Sequence, residues 1–123
     1  MREQKPVVYI EDKPCIFFDD IKKNIVLDCE KEEKIFQETL NKTGMDIYYN
    51  DLSGKNADEL SAGQLQRLIL ARGFYHLCNN NILVLDEPFS ALDSKIVRQL
   101  QAVLLDYKET KKLTILEITH NLT

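Results

Sequence analysis

Short apolar runs along the chain predict three β-strands, over residues 6–10, 82–85 and 113–118. The first and third runs are rich in β-branched residues, which pack well on a pleated surface. The second run is continuously apolar, which is typical of a parallel strand that is covered on both faces. The pattern therefore predicts a sheet with parallel strands.

Longer segments between these runs carry apolar residues at helical spacing. Residues 30–40 predict a charged helix that Gly44 ends, and residues 65–78 are apolar on most faces, as expected of a largely buried helix. A third helix follows from apolar residues that recur every three or four positions, namely Ile96, Val97, Leu100, Val103, Leu104 and Tyr107.

These elements predict an order along the chain. A short helix is expected at the end of the loop over residues 13–25. The helix-rich stretch 21–78 would form a lobe inserted between the first and second strands. Strand, helix and strand then follow one another from residue 82, which predicts a right-handed crossover unit.

Composition narrows the class of protein. The chain has 123 residues, 44% hydrophobic and 29% charged, with a net charge of −4, so we expect one domain with a modest core and no nucleic-acid partner. Cys15, Cys29 and Cys78 have no Cys-x-x-Cys spacing, which favours reduced thiols that fill apolar space over metal ligands. No apolar run approaches the roughly 18 residues that span a bilayer, so membrane association would need a partner.

Two groups of residues could carry chemistry. Ser61 and Gln64 have the spacing of a capping box, whose helix presents backbone N–H groups and a positive dipole end to anions. Gly63 leaves room there for a phosphate to approach the backbone. Asp86 and Glu87 stand at the carboxyl end of a strand, where ligands of open α/β sheets bind, and their side chains diverge enough to take different roles.

Both groups lie within longer motifs. Residues 59–67, Glu-Leu-Ser-Ala-Gly-Gln-Leu-Gln-Arg, resemble the signature motif of ATP-binding-cassette (ABC) ATPases. Residues 82–93, from Ile-Leu-Val-Leu-Asp-Glu-Pro to Ser-Ala-Leu-Asp, resemble the Walker B strand and D-loop of the same family. The two motifs occur in the order and spacing of that family.

The resemblance implies an ATP-binding role for one set of residues. Ser61, Ala62, Gly63 and Gln64 would face the γ-phosphate of an ATP held by a second subunit. Asp93 would belong to the D-loop that crosses between subunits. Ala62 stands where the family usually has glycine, and its methyl group is expected to weaken the phosphate contact.

The resemblance also implies the catalytic and metal-binding residues. Asp86 would hold Mg²⁺ through water, and Glu87 would be the base that activates the attacking water. His120 resembles the H-loop histidine that contacts the γ-phosphate. Residues 14–17 and 21–25 resemble the stretch after the Q-loop of exporter-type cassettes, which places Asp12, or Glu11 after a shift of one residue, where the family has glutamine. Either carboxylate could still ligate Mg²⁺.

The implied fold class is α/β, a partial P-loop NTPase-type parallel sheet with an inserted helical subdomain. Residues 12–80 would hold the Q-loop region and the helical subdomain, and residues 81–123 the Walker B, D-loop and H-loop part of the catalytic core. The sequence contains no Gly-x-x-x-x-Gly-Lys-Ser/Thr, the loop that cradles phosphates. We therefore expect the second half of an exporter-type cassette, which hydrolyses ATP only when complete.

A cassette of this kind would have two partners, a second nucleotide-binding domain in a homo- or heterodimer and the transmembrane domain of a transporter. It would lie in the cytoplasm at the membrane face, with residues 12–25 docked on the transmembrane partner. One alternative is a non-catalytic module that supplies its signature in trans to a complete ATPase. Another is an ABC-type DNA-repair or chromosome-structure ATPase, against which the acidic charge and the absence of coiled-coil heptads argue.

Overall fold

The computed structural model describes residues 6–11, 15–18, 20–46, 49 and 59–119. Its elements in chain order are β1 (Val7–Ile10), α1 (Ile21–Val26), α2 (Glu33–Thr43), α3 (Ala62–Tyr75), β2 (Ile82–Asp86), α4 (Ser94–Thr110) and β3 (Thr114–Ile118). The strands form one parallel sheet in the order β1–β2–β3. The predicted α/β class is confirmed, and α1, α2 and α3 occupy the expected insertion between the first two strands.

Capping residues set the ends of the helices. Gly44 ends α2 with a φ of 72°, a left-handed conformation that glycine adopts without strain. Ser61 caps α3, so this helix begins three residues earlier than the apolar pattern predicted. It also ends earlier, at Tyr75, and just beyond it the Asn81 side chain accepts a hydrogen bond from the Cys78 N–H (2.8 Å). Such local side-chain bonds compete with helix continuation.

Helix α3 packs into two apolar clusters at once. One side of it joins the sheet and α4 in a cluster that we call the sheet core, to which α3 contributes Ile69, Leu70 and Phe74. The other side joins α1 and α2 in the helical core, to which α3 contributes Leu68, Ala71 and Tyr75. Helix α3 therefore packs against residues on both sides of position 80. The division of the chain into a helical part, 12–80, and a catalytic part, 81–123, stays a prediction.

The sheet is covered on one face. Leu83 and Leu85 of β2 are fully buried in the sheet core, against which both α3 and α4 pack. On the opposite face Val7, Tyr9 and Leu116 are 58%, 49% and 54% exposed. The prediction that β2 is covered on both faces is therefore wrong for the described residues, because the two helices lie on the same side.

Two expectations from composition can be compared with the structure. Cys15, Cys29 and Cys78 are all exposed, so the prediction that they fill apolar space is wrong. Each of them lies in a connecting segment outside the helices and strands, away from the two cores. Within the described part of the chain, no helix combines the length and the apolar character needed to cross a membrane.

The shared position of α3 predicts that the two cores unfold together. Leu68 and Leu70 are both fully buried, one in each core. Leu68→Ala and Leu70→Ala should each lower the free energy of unfolding by about 2–5 kcal/mol. Denaturant unfolding followed by circular dichroism should show one transition for each variant.

Leu105→Ala is the matched control for these variants. Its side chain on α4 is 67% exposed, so its loss should change the stability by less than about 0.5 kcal/mol. A separate early transition in Leu68→Ala, with the sheet core unaffected, would contradict the shared packing.

Candidate functional site

Helix α3 begins with the capping box that the sequence predicts. Ser61 Oγ accepts a hydrogen bond from the Gln64 N–H (3.2 Å), and Gln64 Oε1 accepts one from the Ser61 N–H (3.0 Å). Ser61 and Ala62 are exposed, whereas Gly63 and Gln64 are partly buried. The first turn is thus held in shape while its positive dipole end faces the surface, which suits an anion.

Gly63 is constrained by contacts within the chain. A β-carbon at this position would lie 3.1 Å from the carbonyl oxygen of Ala91, in the segment that follows β2. The sequence explained this glycine only by the approach of a phosphate. The structure adds a second reason, because the backbone of residue 91 passes directly against the helix.

Asp86 and Glu87 lie at the carboxyl end of β2, as predicted. The Tyr9 hydroxyl on β1 donates a hydrogen bond to Asp86 Oδ2 (2.8 Å). Glu87 has a φ of 47°, and its N–H donates to the Ile118 carbonyl of β3 (2.9 Å). A left-handed conformation is uncommon for a residue other than glycine, and such strain concentrates at functional sites.

The donor set around Asp86 can be compared with what Mg²⁺ requires. This ion usually takes one or two protein carboxylates and keeps several waters. Asp86 is a carboxylate at a strand end with one oxygen held by Tyr9, so it fits a site that water and a phosphate would complete. Groups of three or more His, Cys, Asp or Glu side chains that could bind a metal by themselves are absent from the described residues.

Of three other predicted site residues, the structure describes Asp93 and does not describe Asp12 or His120. Asp93 Oδ1 accepts a hydrogen bond from the Ile96 N–H (3.0 Å) and so caps α4, while its role toward ATP stays a prediction. Asp12 and His120 lie outside the described residues. Glu11, the alternative to Asp12, lines a small cleft that also includes Ala62 of α3.

The Gln66 side chain connects α3 to the segment after β2, a contact that the sequence analysis missed. Its Nε2 donates to the Glu87 carbonyl (3.2 Å) and to Ser90 Oγ (3.1 Å), and its Oε1 accepts from the Ala91 N–H (2.8 Å). One signal could have pointed to it. Gln66 lies three residues after Gly63, which places both on the same side of the helix.

A second polar contact fixes the segment before α1. The Arg72 guanidinium donates to the carbonyls of Cys15 (2.8 Å) and Asn24 (2.6 Å) and to Asn24 Oδ1 (3.2 Å). It also lies over the Phe17 ring, 4.9 Å from its centroid. Burial lowers the pKa of Arg72 from its ordinary value, yet an arginine keeps its charge at neutral pH. Arg72 therefore connects α3 to Cys15 and Asn24.

Asn24 is the centre of this segment. It is fully buried, and its Oδ1 also accepts from the N–H groups of Phe17 (3.0 Å) and Phe18 (3.2 Å). Its Nδ2 donates to the carbonyls of Phe18 (2.6 Å) and Asp20 (2.9 Å). The backbone is thus fixed while the two aromatic side chains remain 59% and 43% exposed.

His76 follows the end of α3 and lies partly inside the fold. The ring is half-buried beside Tyr75, with Nε2 3.0 Å from the Ile25 carbonyl oxygen. Burial lowers the pKa of His76 from its ordinary value, although the contact with Ile25 opposes that change. Position at the end of a buried helix, rather than residue type, decides the environment of this side chain.

Comparison with known proteins identifies the family. A family model described as "ABC transporter" matches residues 1–90, well over half of the chain. The chain belongs to this family. The match includes the start of α3, the end of β2 and the Gln66 contacts to residues 87 and 90.

Individual relatives are similar in sequence but longer. The thiamine import ATP-binding protein of Haemophilus ducreyi is 40% identical over 84 residues, which cover 68% of this chain and 38% of that protein. The aliphatic sulfonates import ATP-binding protein of Bacillus cereus is 32% identical over 102 residues, which cover 83% and 40%. Human ATP-binding cassette sub-family C member 8 is 30% identical over 130 residues, which cover 99% and 8%. The chain thus spans about two fifths of the bacterial relatives, whose names state import.

The pKa of His76 predicts a pH dependence of stability. Since the folded state disfavours the charged ring, the unfolded chain takes up the proton first as the pH falls below its usual pKa of about 6.5. Stability should therefore be complete above that pH and decrease as the pH falls through the interval between the unfolded and folded pKa values. Urea unfolding between pH 7.5 and 5.5 measures the effect.

His76→Gln is the comparison for this experiment, because it keeps a polar side chain without a titrating ring. The difference in unfolding free energy between the parent and His76→Gln should change over this pH range, since carboxylates contribute equally to both. A difference that is constant with pH would contradict the burial of the neutral ring.

Proposed function

We propose that this chain is part of an ABC transporter ATPase, which binds and hydrolyses ATP to drive transport across a membrane. The observation that carries the proposal is the exposed, capped start of α3, held by Gln66 against the strand end that bears Asp86 and Glu87. The match to the ABC transporter family and the similarity to import ATP-binding proteins both support the proposal.

Each part of the site has a chemical task in this proposal. Glu87 accepts the proton of the attacking water, or orients that water, at the end of β2. Asp86 holds Mg²⁺, which when bound neutralises charge on the phosphates, and Tyr9 keeps the Asp86 carboxylate in place. The start of α3 offers its N–H groups to the γ-phosphate of an ATP bound by a second cassette. His120 and Asp93 remain proposed contacts of that phosphate and of the second cassette.

We further propose that the chain acts together with other polypeptide segments. It has no Gly-x-x-x-x-Gly-Lys-Ser/Thr sequence, so a phosphate cradle must come from elsewhere. The open sheet face, with Val7, Tyr9 and Leu116 exposed, is an apolar surface of the kind that further helices cover in parallel sheets. In such a cassette, residues 12–80 and 81–123 would be the helical and catalytic parts.

The partners and location follow from the same proposal. The transmembrane domain would dock on residues 15–24, where Asn24 and Arg72 fix the backbone and leave Phe17 and Phe18 exposed. A second nucleotide-binding domain would face the start of α3, and the complex would lie at the cytoplasmic side of a membrane. The sequence predicted an exporter, but the relatives whose names state a direction are import proteins. We therefore propose transport and do not propose export.

The proposed base predicts the outcome of a conservative substitution. In a complete cassette that contains this chain, Glu87→Gln should bind ATP normally and turn over at least ~100-fold more slowly, because the amide cannot accept a proton. Asp86→Asn should instead weaken Mg²⁺-dependent ATP binding. Phosphate release and nucleotide titration measure the two effects.

Glu117→Gln is the matched control for Glu87→Gln, since Glu117 is an exposed carboxylate on β3. This control should keep the parent turnover. If a cassette that folds and binds ATP hydrolyses it equally well with Glu87→Gln, Glu87 is not the base and the catalytic part of the proposal fails.

If the start of α3 binds the ATP of a second cassette, a change there should affect dimerisation and not the ATP affinity of the monomer. Ser61→Ala removes one half of the capping box, which should cost about 1 kcal/mol of helix stability and loosen the anion site. It should leave the ATP affinity of a monomeric cassette unchanged and weaken ATP-driven dimerisation. Ultracentrifugation with and without ATP measures the dimer.

Ser94→Ala controls for the loss of a hydroxyl at a helix start, because Asp93 and not Ser94 caps α4. Dimerisation of this variant should match the parent. A loss of monomer ATP affinity in Ser61→Ala, with normal dimerisation, would show that the helix start serves ATP in its own cassette.

A further inference from the structure

The Gln66 side chain is placed between two parts of the proposed site. It uses both of its N–H donors and its carbonyl oxygen across one short gap, from α3 to the segment that follows β2. The Nε2 group binds the Glu87 carbonyl (3.2 Å) and Ser90 Oγ (3.1 Å), while Oε1 binds the Ala91 N–H (2.8 Å). Only a side chain with both a donor and an acceptor can make all three contacts.

Glu87 is held through its backbone on two sides. Its N–H donates to the Ile118 carbonyl of β3 (2.9 Å), and its carbonyl accepts from Gln66. Between these two bonds the residue keeps a φ of 47°, which costs energy for any side chain with a β-carbon. A strained conformation persists only where its surroundings impose it, and the hydrogen bond from Gln66 is one such restraint.

The gap that Gln66 crosses is narrow. One helical turn before it, Gly63 allows the Ala91 carbonyl oxygen to come so close that a β-carbon would lie 3.1 Å away. Gly63 and Gln66 therefore act on the same neighbour, one by leaving space and the other by binding. Their combined effect fixes residues 87–91 relative to the start of α3.

We propose that Gln66 is a positioning residue for Glu87. It holds the backbone of the proposed base, and with it the direction of the carboxylate, to the helix that begins at Ser61. The inference rests on the proposed function of Glu87. It predicts that Gln66 affects the chemical step rather than the binding of ATP, because none of its three partners is a proposed ATP contact.

The test compares three single variants with the parent in a complete cassette that contains this chain. Gln66→Leu removes the donor and the acceptor, and Gln66→Glu keeps the shape and the acceptor for Ala91 but loses the donor to Glu87. We expect Gln66→Leu to lower kcat roughly 10- to 100-fold with the KM for ATP nearly unchanged, since small misplacements of a catalytic group have effects of this size. Gln66→Glu should also lower kcat. Gln101→Leu on the exposed side of α4 should have the parent kcat.

A double variant separates positioning from general damage. If Gln66 acts through Glu87, Gln66→Leu should have almost no further effect on kcat in the Glu87→Gln background. Effects that multiply, or a parallel loss of ATP affinity and thermal stability, would overturn the proposal. So would a parent-like kcat in Gln66→Leu. Where Gln66→Leu does not fold, the isosteric Gln66→Glu decides by the same cycle.

A second measurement distinguishes failure of this inference from failure of the proposed function. Amide hydrogen exchange at Ala91 reports the contact with Gln66 directly. Gln66→Leu should speed this exchange roughly fivefold, the ratio that corresponds to one hydrogen bond, and Gln66→Glu should not. A parent cassette that binds but never hydrolyses ATP would refute the proposed function. Unchanged exchange at Ala91 in Gln66→Leu would refute the positioning role.

Discussion

The burial of helix α3 on two sides is the constraint on which the rest of the structure depends. Leu68 and Leu70 lie two residues apart, point into different cores, and are both fully buried. A rotation of the helix about its axis would expose one core in order to repack the other, so burial of apolar side chains on both sides favours one orientation of the helix. The polar residues of α3 are then fixed in direction too. This is why Gln66 can meet the segment after β2, and why the capped start at Ser61 is displayed at the surface.

The same constraint gives the two ends of α3 different tasks. Near its start, Gln66 is bound to the backbone of Glu87, and near its end Arg72 is bound to the carbonyl oxygens of Cys15 and Asn24. A helix of 14 residues is about 21 Å long and stiff, so these two contacts are joined by a rigid element. If the ATP of a second cassette binds the helix start and a transmembrane partner binds the segment that contains Cys15 and Asn24, the ATP contacts α3 directly and the partner is connected to α3 through Arg72.

Local patterns predicted more of this molecule than long-range ones. Strands, helix caps and the positions of Ser61, Asp86 and Glu87 could be found because each depends on neighbours within a few residues. The face of the sheet that is left open could not, because nothing in a continuous apolar run says on which side the next helix will pack. The missed polar contacts join residues far apart in sequence: 77 positions for Tyr9 and Asp86, 48 for Arg72 and Asn24. Only the tertiary fold brings such pairs together, and a single sequence does not show which distant residues are in contact.

Positions 62 and 63 of the signature motif show how contacts within the chain limit which residues a position can accept. The family usually has glycine at both, and this chain keeps only the second. Ala62 is exposed in the first turn of α3, where alanine favours the helix by up to about 1 kcal/mol over glycine. At Gly63 a β-carbon would meet the Ala91 carbonyl at 3.1 Å, so the same replacement would push away the segment that Gln66 holds. The side chain at position 62 is exposed, so a bound ligand limits its size. The side chain at position 63 is limited by the backbone of Ala91. A methyl group can therefore be accommodated at residue 62 without disturbing the geometry around Glu87.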